Sequence, residues 1–137
     1  MLRLCLTGLT FICMGDFKDL KAWQHARRLA IPSKAAIARL PESERYALAD
    51  QWRRAVYSVA LNIAEGASRR GIKDFRKFLD IARSSLHEVE AILDLVAALD
   101  YFRPEDLVQI HAARQECART VYGLLRGLPD GPRQPGR

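Results

Sequence analysis

The 137-residue sequence has little of what disulfide scaffolds, sheets or membrane spans require. Its three cysteines, Cys5, Cys13 and Cys117, are odd in number and show no CxxC spacing. Free thiols in a reducing cytoplasm are the simplest reading. No stretch alternates apolar and polar residues, so a β-sheet is not expected. No apolar run approaches the roughly 20 residues that a membrane-spanning helix needs. Glycine and proline gather at segment ends and in the tail PDGPRQPGR, leaving long uninterrupted stretches between them. Hydrophobic residues make up 49% and charged residues 28%, a balance that suits one soluble globular domain rather than a disordered chain.

The compositional outlier is MLRLCLTGLTFICM, residues 1–14. An arginine before an apolar stretch imitates a secretory signal, yet no A-x-A-like cleavage site follows. The alternative is a misplaced start, with Met14 as the true first residue. The domain is expected over 15–127 and a loose tail over 128–137. The formal charge is +6, of which Arg3, Arg133 and Arg137 against Asp130 supply two from the ends. The folded part carries about +4, a mild bias toward anionic partners.

Helical periodicity and punctuation predict four helices. The first runs from Asp16, a natural N-cap, to Arg39, with Pro32 expected to kink or break it. Pro41 opens the second, which should stop at Gly66 as a left-handed C-cap. The third spans about Ile72 to Asp100, and Pro104 opens a fourth ending near Gly127. Short connections favour an all-α, antiparallel up-down-up-down four-helix bundle.

Phase within these helices separates two apolar faces. Leu48, Trp52, Ala55, Val56, Val59 and Ile63 make one core stripe, and Phe75, Phe78, Leu79, Ala82, Leu86, Val89, Leu93 and Val96 another. Tyr46, Tyr57 and Leu61 on the second helix, and Ile81, Ile92 and Leu99 on the third, lie off those centres. Either the core face is broad, or Tyr57, Leu61, Ile81, Ile92 and Leu99 form a homo-oligomer interface.

Most catalytic chemistry lacks its residues. His25, His87 and His111 have no Glu three positions before them, which a carboxylate-bridged dimetal bundle requires. His87-Glu88-Val89-Glu90-Ala91 lacks the second histidine of HExxH. GASRRGIK, residues 66–73, has Ile72 and Lys73 where a phosphate loop needs Lys and Ser or Thr, and it follows a helix rather than a strand. No GxSxG elbow occurs. The carboxylates Glu88 and Glu90 have Arg83 and Lys77 nearby for surface pairing. No enzyme activity, metal or cofactor is expected.

Two polar features remain. Arg69, Arg70, Lys73, Arg76 and Lys77 gather five cations after the second helix, with Arg53 and Arg54 further back. They form either a phosphate-neutralising surface for structured RNA or DNA, or a solvated rim paired with Asp74 and Asp80. Without an aromatic stacking platform, binding would read shape or backbone rather than sequence. Gln51, Ser58, Asn62 and Glu65 recur at helical spacing beside the core. They suit hydrogen bonding to a neighbouring helix or to the following loop, and so fixing register, better than catalysis.

FKDLKAWQHARRLA (17–30), LPESERYALADQWRRAVYSVALNIAEGASR (40–69) and KDFRKFLDIARSSLHEVEAIL (73–93) resemble the four-helix-bundle proteins encoded in intervening sequences of bacterial 23S rRNA genes. NIAEG and the SLxExE pattern at Ser85–Glu90 make the resemblance specific, over about residues 16 to 102. It implies cytoplasmic homopentamers, most without a known activity. Accessory proteins of diversity-generating retroelements, which bind nucleic acid and a reverse transcriptase, are more distantly similar. The competing role is a protein-only scaffold or adaptor with a protein partner. Pro32 and Ser84 depart from the pattern, Ser84 standing where glycine is usual. The apolar leader is no part of it.

Overall fold

The computed structural model describes residues 16–129, together with the backbone of Arg3–Leu4 and Ile12–Cys13. Those two short segments pair antiparallel, with Arg3 opposite Cys13 and Leu4 opposite Ile12. The remainder of the apolar leader, and the tail from residue 130, lie outside the described residues.

Four helices carry the domain: α1 Lys21–Ile37, α2 Leu48–Ala67, α3 Ile72–Ala98 and α4 Val108–Gly127. Single 3₁₀ turns at Phe17–Asp19, Glu42–Glu44 and Pro104–Leu107 precede α1, α2 and α4. Each helix packs on two neighbours, so that α1, α2, α3 and α4 close a ring around one core, with α2 against α3 the most extensive pairing. Trp52, Val56, Val59 and Ile63 meet Phe75, Leu79, Leu86 and Leu93 there, joined by Leu29 of α1 and Cys117 and Val121 of α4.

The ends of these helices differ from the sequence expectations in instructive ways. Asp16 caps the 3₁₀ turn by accepting from Lys18 N, one turn before α1 begins. Pro32 does not break α1, which continues to Ile37. Its missing N–H removes one bond from the helix ladder, but Leu29, Ser33, Ala36 and Ile37 are buried around it and hold the helix in place. The start of α2 falls at Leu48, whose N–H is taken by the Glu44 carboxylate. Gly66 is not a left-handed cap: it lies inside α2, which ends at Ala67 with Ser68 as C-cap. Leu128, placed in the loose tail by sequence, is buried at 7% exposure and donates its N–H to Leu124 O.

At the far end of α3 the chain turns through Asp100, φ 60°, the one non-glycine residue with positive φ among the described residues. Asp100 N bonds Ala97 O and Tyr101 N bonds Val96 O, the paired bonds of a Schellman motif. The Tyr101 hydroxyl then donates to Glu44 Oε1 at 2.8 Å, tying this turn to the one before α2. The acceptor holds the Tyr101 hydroxyl protonated, raising its pKa. Beneath it Phe102 packs edge-on to Trp52 with ring centroids 6.0 Å apart, covered by the Arg39 guanidinium.

Candidate functional site

The polar groups of α2 meet α3 in order. Ser58 Oγ lies 2.8 Å from Ser85 Oγ, and Asn62 Nδ2 donates to both the Ser58 carbonyl and its hydroxyl. Gln51 Nε2 donates to Glu88 Oε1 on the same side. Three of the four stripe residues therefore join one seam between α2 and α3, with Ser85 as a buried partner that phase analysis missed. Glu65 departs from it: its carboxylate takes Arg69 rather than α3 or the loop amides. Nor do Glu88 and Glu90 pair with Arg83 or Lys77, since Glu90 meets Arg114 and His87.

Beyond the seam, Gly66 brings α2 close to α3. A Cβ there would stand 2.8 Å from Phe78 Cβ and 3.0 Å from Phe75 Cδ2. The connection to α3 then carries the cations, and the structure sorts the five into two groups. Arg69 is held by Glu65 and lies over the Phe78 ring, 5.1 Å from its centroid. Arg76 turns toward α4, donating to Leu125 O at 3.2 Å and Leu128 O at 3.4 Å. Both carbonyls sit at the negative end of that helix, where a guanidinium is favoured. Arg70, Lys73 and Lys77 are exposed and make no ion pair among the described residues, with Asp74 and Asp80 included. Arg53 and Arg54 share Asp50.

The off-centre apolar residues divide too. Tyr57, Leu61, Ile81 and Leu99 are exposed, at 49, 63, 38 and 47%. Leu95, which the phase argument did not single out, is exposed beside them in sequence. Ile92 is a correction: at 4% exposure it belongs to the core and offers no surface to another copy. It lies two turns after Ser85 on α3, so the buried arc of α3 is wider there than one stripe. Ser84 is exposed.

Among the described residues, no three His, Cys, Asp or Glu side chains are placed to hold a metal ion. No helix among them is long and apolar enough to cross a membrane. Burial pushes the Cys117 thiol up to about 12, against a smaller opposing effect of Arg114.

A family model for the 23S rRNA-intervening sequence protein matches residues 18–123, taking in α1, α2, α3 and most of α4. The chain belongs to that family. No curated protein matches it. Its fold is similar to a crystal structure from Bacteroides thetaiotaomicron VPI-5482, described as a protein with unknown function from the S23 ribosomal protein family. The TM-score is 0.71 at 21% identity, covering 77% of this chain and 98% of the other. For this 23S rRNA-intervening sequence family member, the match reaches past the stretch that carried the sequence resemblance and includes the fourth helix. The corner of NIAEG lies where Gly66 brings α2 close to Phe75 and Phe78 of α3.

Proposed function

We propose that this protein is a non-enzymatic, cytoplasmic, self-associating binding module whose α2–α3 corner contacts the phosphate backbone of structured RNA or DNA. Arg70, Lys73 and Lys77 carry the reading, because they are exposed cations with no acidic partner among the described residues. Arg69, braced on Glu65 and Phe78, borders them. Arg76 is left out of the contact surface because it serves the end of α4. Such a surface reads charge spacing and shape, and its affinity falls steeply with salt.

The bundle is antiparallel in this reading. Partner numbers fall on α3 as they rise on α2, through Gln51–Glu88, Ser58–Ser85 and Gly66–Phe78. Arg76–Leu125 and Glu90–Arg114 run the same way between α3 and α4. Exposed Leu61, Ile81, Leu95 and Leu99 support self-association, in a homopentamer as the resemblance implies.

Fluorescence anisotropy with a structured RNA over a salt series tests the binding. Replacing Arg70, Lys73 and Lys77 by Gln should lower affinity and flatten the plot of log K against log salt by about two to three units. Equal affinity in the triple variant, or no binding at low salt, would overturn it. Native mass spectrometry tests the assembly: five copies are expected, and Leu61→Glu with Ile81→Glu should release monomers. A monomer at micromolar concentration would count against self-association. A protein-only adaptor rests on the same exposed leucines and isoleucine, and gains if self-association holds while RNA affinity is absent.

A further inference from the structure

Away from that corner, α1 and α2 leave a cleft between them of about 360 Å³, toward the small end of the range usual for ligand pockets. Its floor is apolar: Ile37 from α1 and Ala49 and Val56 from α2 are all buried. Ser33 also lines it, 1% exposed, and its hydroxyl has no hydrogen-bond partner. A buried hydroxyl without a partner is uncommon, because water is given up and nothing replaces it.

The mouth has the opposite character. Lys34, Arg45 and Arg53 line it with the Tyr57 phenol, and Glu42 is the one carboxylate among the lining residues. Glu42 pairs with Arg45 at 3.3 Å, and Arg53 meets Asp50, which Arg54 also holds. Lys34 makes no ion pair among the described residues. The lining therefore carries a positive surplus over an apolar floor that contains one unsatisfied hydroxyl.

We infer that this cleft binds a small organic anion: a compact apolar body on the floor, with a carboxylate or phosphate group at the mouth. A polar atom on the body would accept from the Ser33 hydroxyl and supply its missing partner. The anionic group would meet Lys34 and the guanidinium of Arg45 or Arg53, which suit planar, paired donation to such oxygens. The site is separate from the nucleic-acid surface and does not depend on it.

Phenyl phosphate and 4-hydroxybenzoate are suitable probes, added to the full chain and followed by amide resonances in two-dimensional NMR. Inorganic phosphate and benzyl alcohol supply the anion and the apolar body separately. Both probes should shift residues 30–38 and 45–57, and each separated half should bind at least about tenfold more weakly. Lys34→Ala with Arg45→Ala, both exposed, should weaken binding by about tenfold or more without altering the fold. Ser33→Ala should weaken 4-hydroxybenzoate while leaving the free protein at least as stable. The inference fails if inorganic phosphate matches phenyl phosphate, if the shifts centre on Arg70 to Lys77, or if the Lys34 and Arg45 variant binds as the parent does.

Discussion

Gly66 lets α2 approach α3 so closely that a Cβ added to it would stand 2.8 Å from Phe78 Cβ. Phe78 Cβ is one bond from the backbone, so the contact is relieved only by moving a helix. Alanine is the better helix former by up to about 1 kcal/mol, and that preference opposes the steric cost. Overpacking of this kind costs about 1–3 kcal/mol and should win. Gly66→Ala is therefore expected to lower the urea midpoint, and Gly66→Val to lower it further. An alanine variant as stable as the parent would show that the two helices are not held at this distance.

This glycine also marks where sequence reading stops. Four helices and their core stripes were legible because 3.6-residue periodicity is a property of one segment at a time. NIAEG followed by a basic loop looks like a helix end, and α2 does end one residue on, at Ala67, but Gly66 is not its left-handed cap. What selects glycine is the neighbour across the interface, which spacing along one chain cannot display. Arg76 shows the same thing: it stands in sequence among cations, but in space it serves carbonyls 49 and 52 residues away. Ile92 lies off-centre by phase if α3 has one narrow buried stripe, whereas the buried arc is wider there and takes it in. The serine of α3 that completes the seam, Ser85, had no signal of its own beyond the family-like SLxExE pattern. The cations Arg69, Arg70, Lys73, Arg76 and Lys77 were legible only as a group of five, because charge at a short connection is local whereas the partners that divide them are not.

Asp100 sits at φ 60° in the turn after α3 with an exposed side chain. A β-carbon in this conformation is strained, and glycine is the residue that helix ends favour there. Asp100→Gly keeps both Schellman bonds and removes the strain, so stability should rise by about 0.5–1 kcal/mol despite the looser unfolded chain. Asp100→Val should do the reverse. Thermal unfolding of the three proteins side by side is sufficient, and a glycine variant that melts earlier would contradict the account.

For Arg76 the expectation separates structure from binding. Removing its guanidinium leaves the Leu125 and Leu128 carbonyls short of a charged donor, at a cost of about 1–2 kcal/mol. Hydrogen exchange in Arg76→Ala should quicken through the last turn of α4, and Arg76→Lys should restore part of the loss as a point charge. RNA affinity per folded molecule should hardly change. A variant of full stability that lost RNA affinity would return Arg76 to the contact surface.

Asp106 makes stability depend on pH in the acid range. Its carboxylate is hydrogen-bonded by Arg103, whose backbone N–H it also accepts at 3.3 Å, and Arg39 lies 3.6 Å away. Together these hold its pKa below the ordinary 3.8, with partial burial opposing. A lowered native pKa means the unfolded chain takes up the proton first. The contribution is then fully present above the unfolded value and is lost as pH falls through the native one. Asp106→Asn keeps an oxygen for the Arg103 N–H but drops the charge. It should be less stable than the parent at about pH 6, and the gap should close below the ordinary carboxylate range. A gap that persists unchanged at about pH 2 would mean the charge is not responsible.

The seam of Ser58, Asn62 and Ser85 joins α2 to α3 through side-chain hydrogen bonds whose worth can be measured. Ser58→Ala strands the Ser85 hydroxyl, 7% exposed, and removes one of the two acceptors of Asn62. A loss of about 1–3 kcal/mol is expected, because a buried hydroxyl is left without a partner. Replacing Ser58 and Ser85 together removes both groups, so the double variant should lose less than the two single losses summed. Additive losses in that cycle would show that the two hydroxyls do not interact. Asn62 donates its amide to Ser58, one turn back on the same helix. Asn62→Ala should accordingly leave the fold intact at a cost below about 1.5 kcal/mol, since one modest hydrogen bond is lost and the site is only half buried.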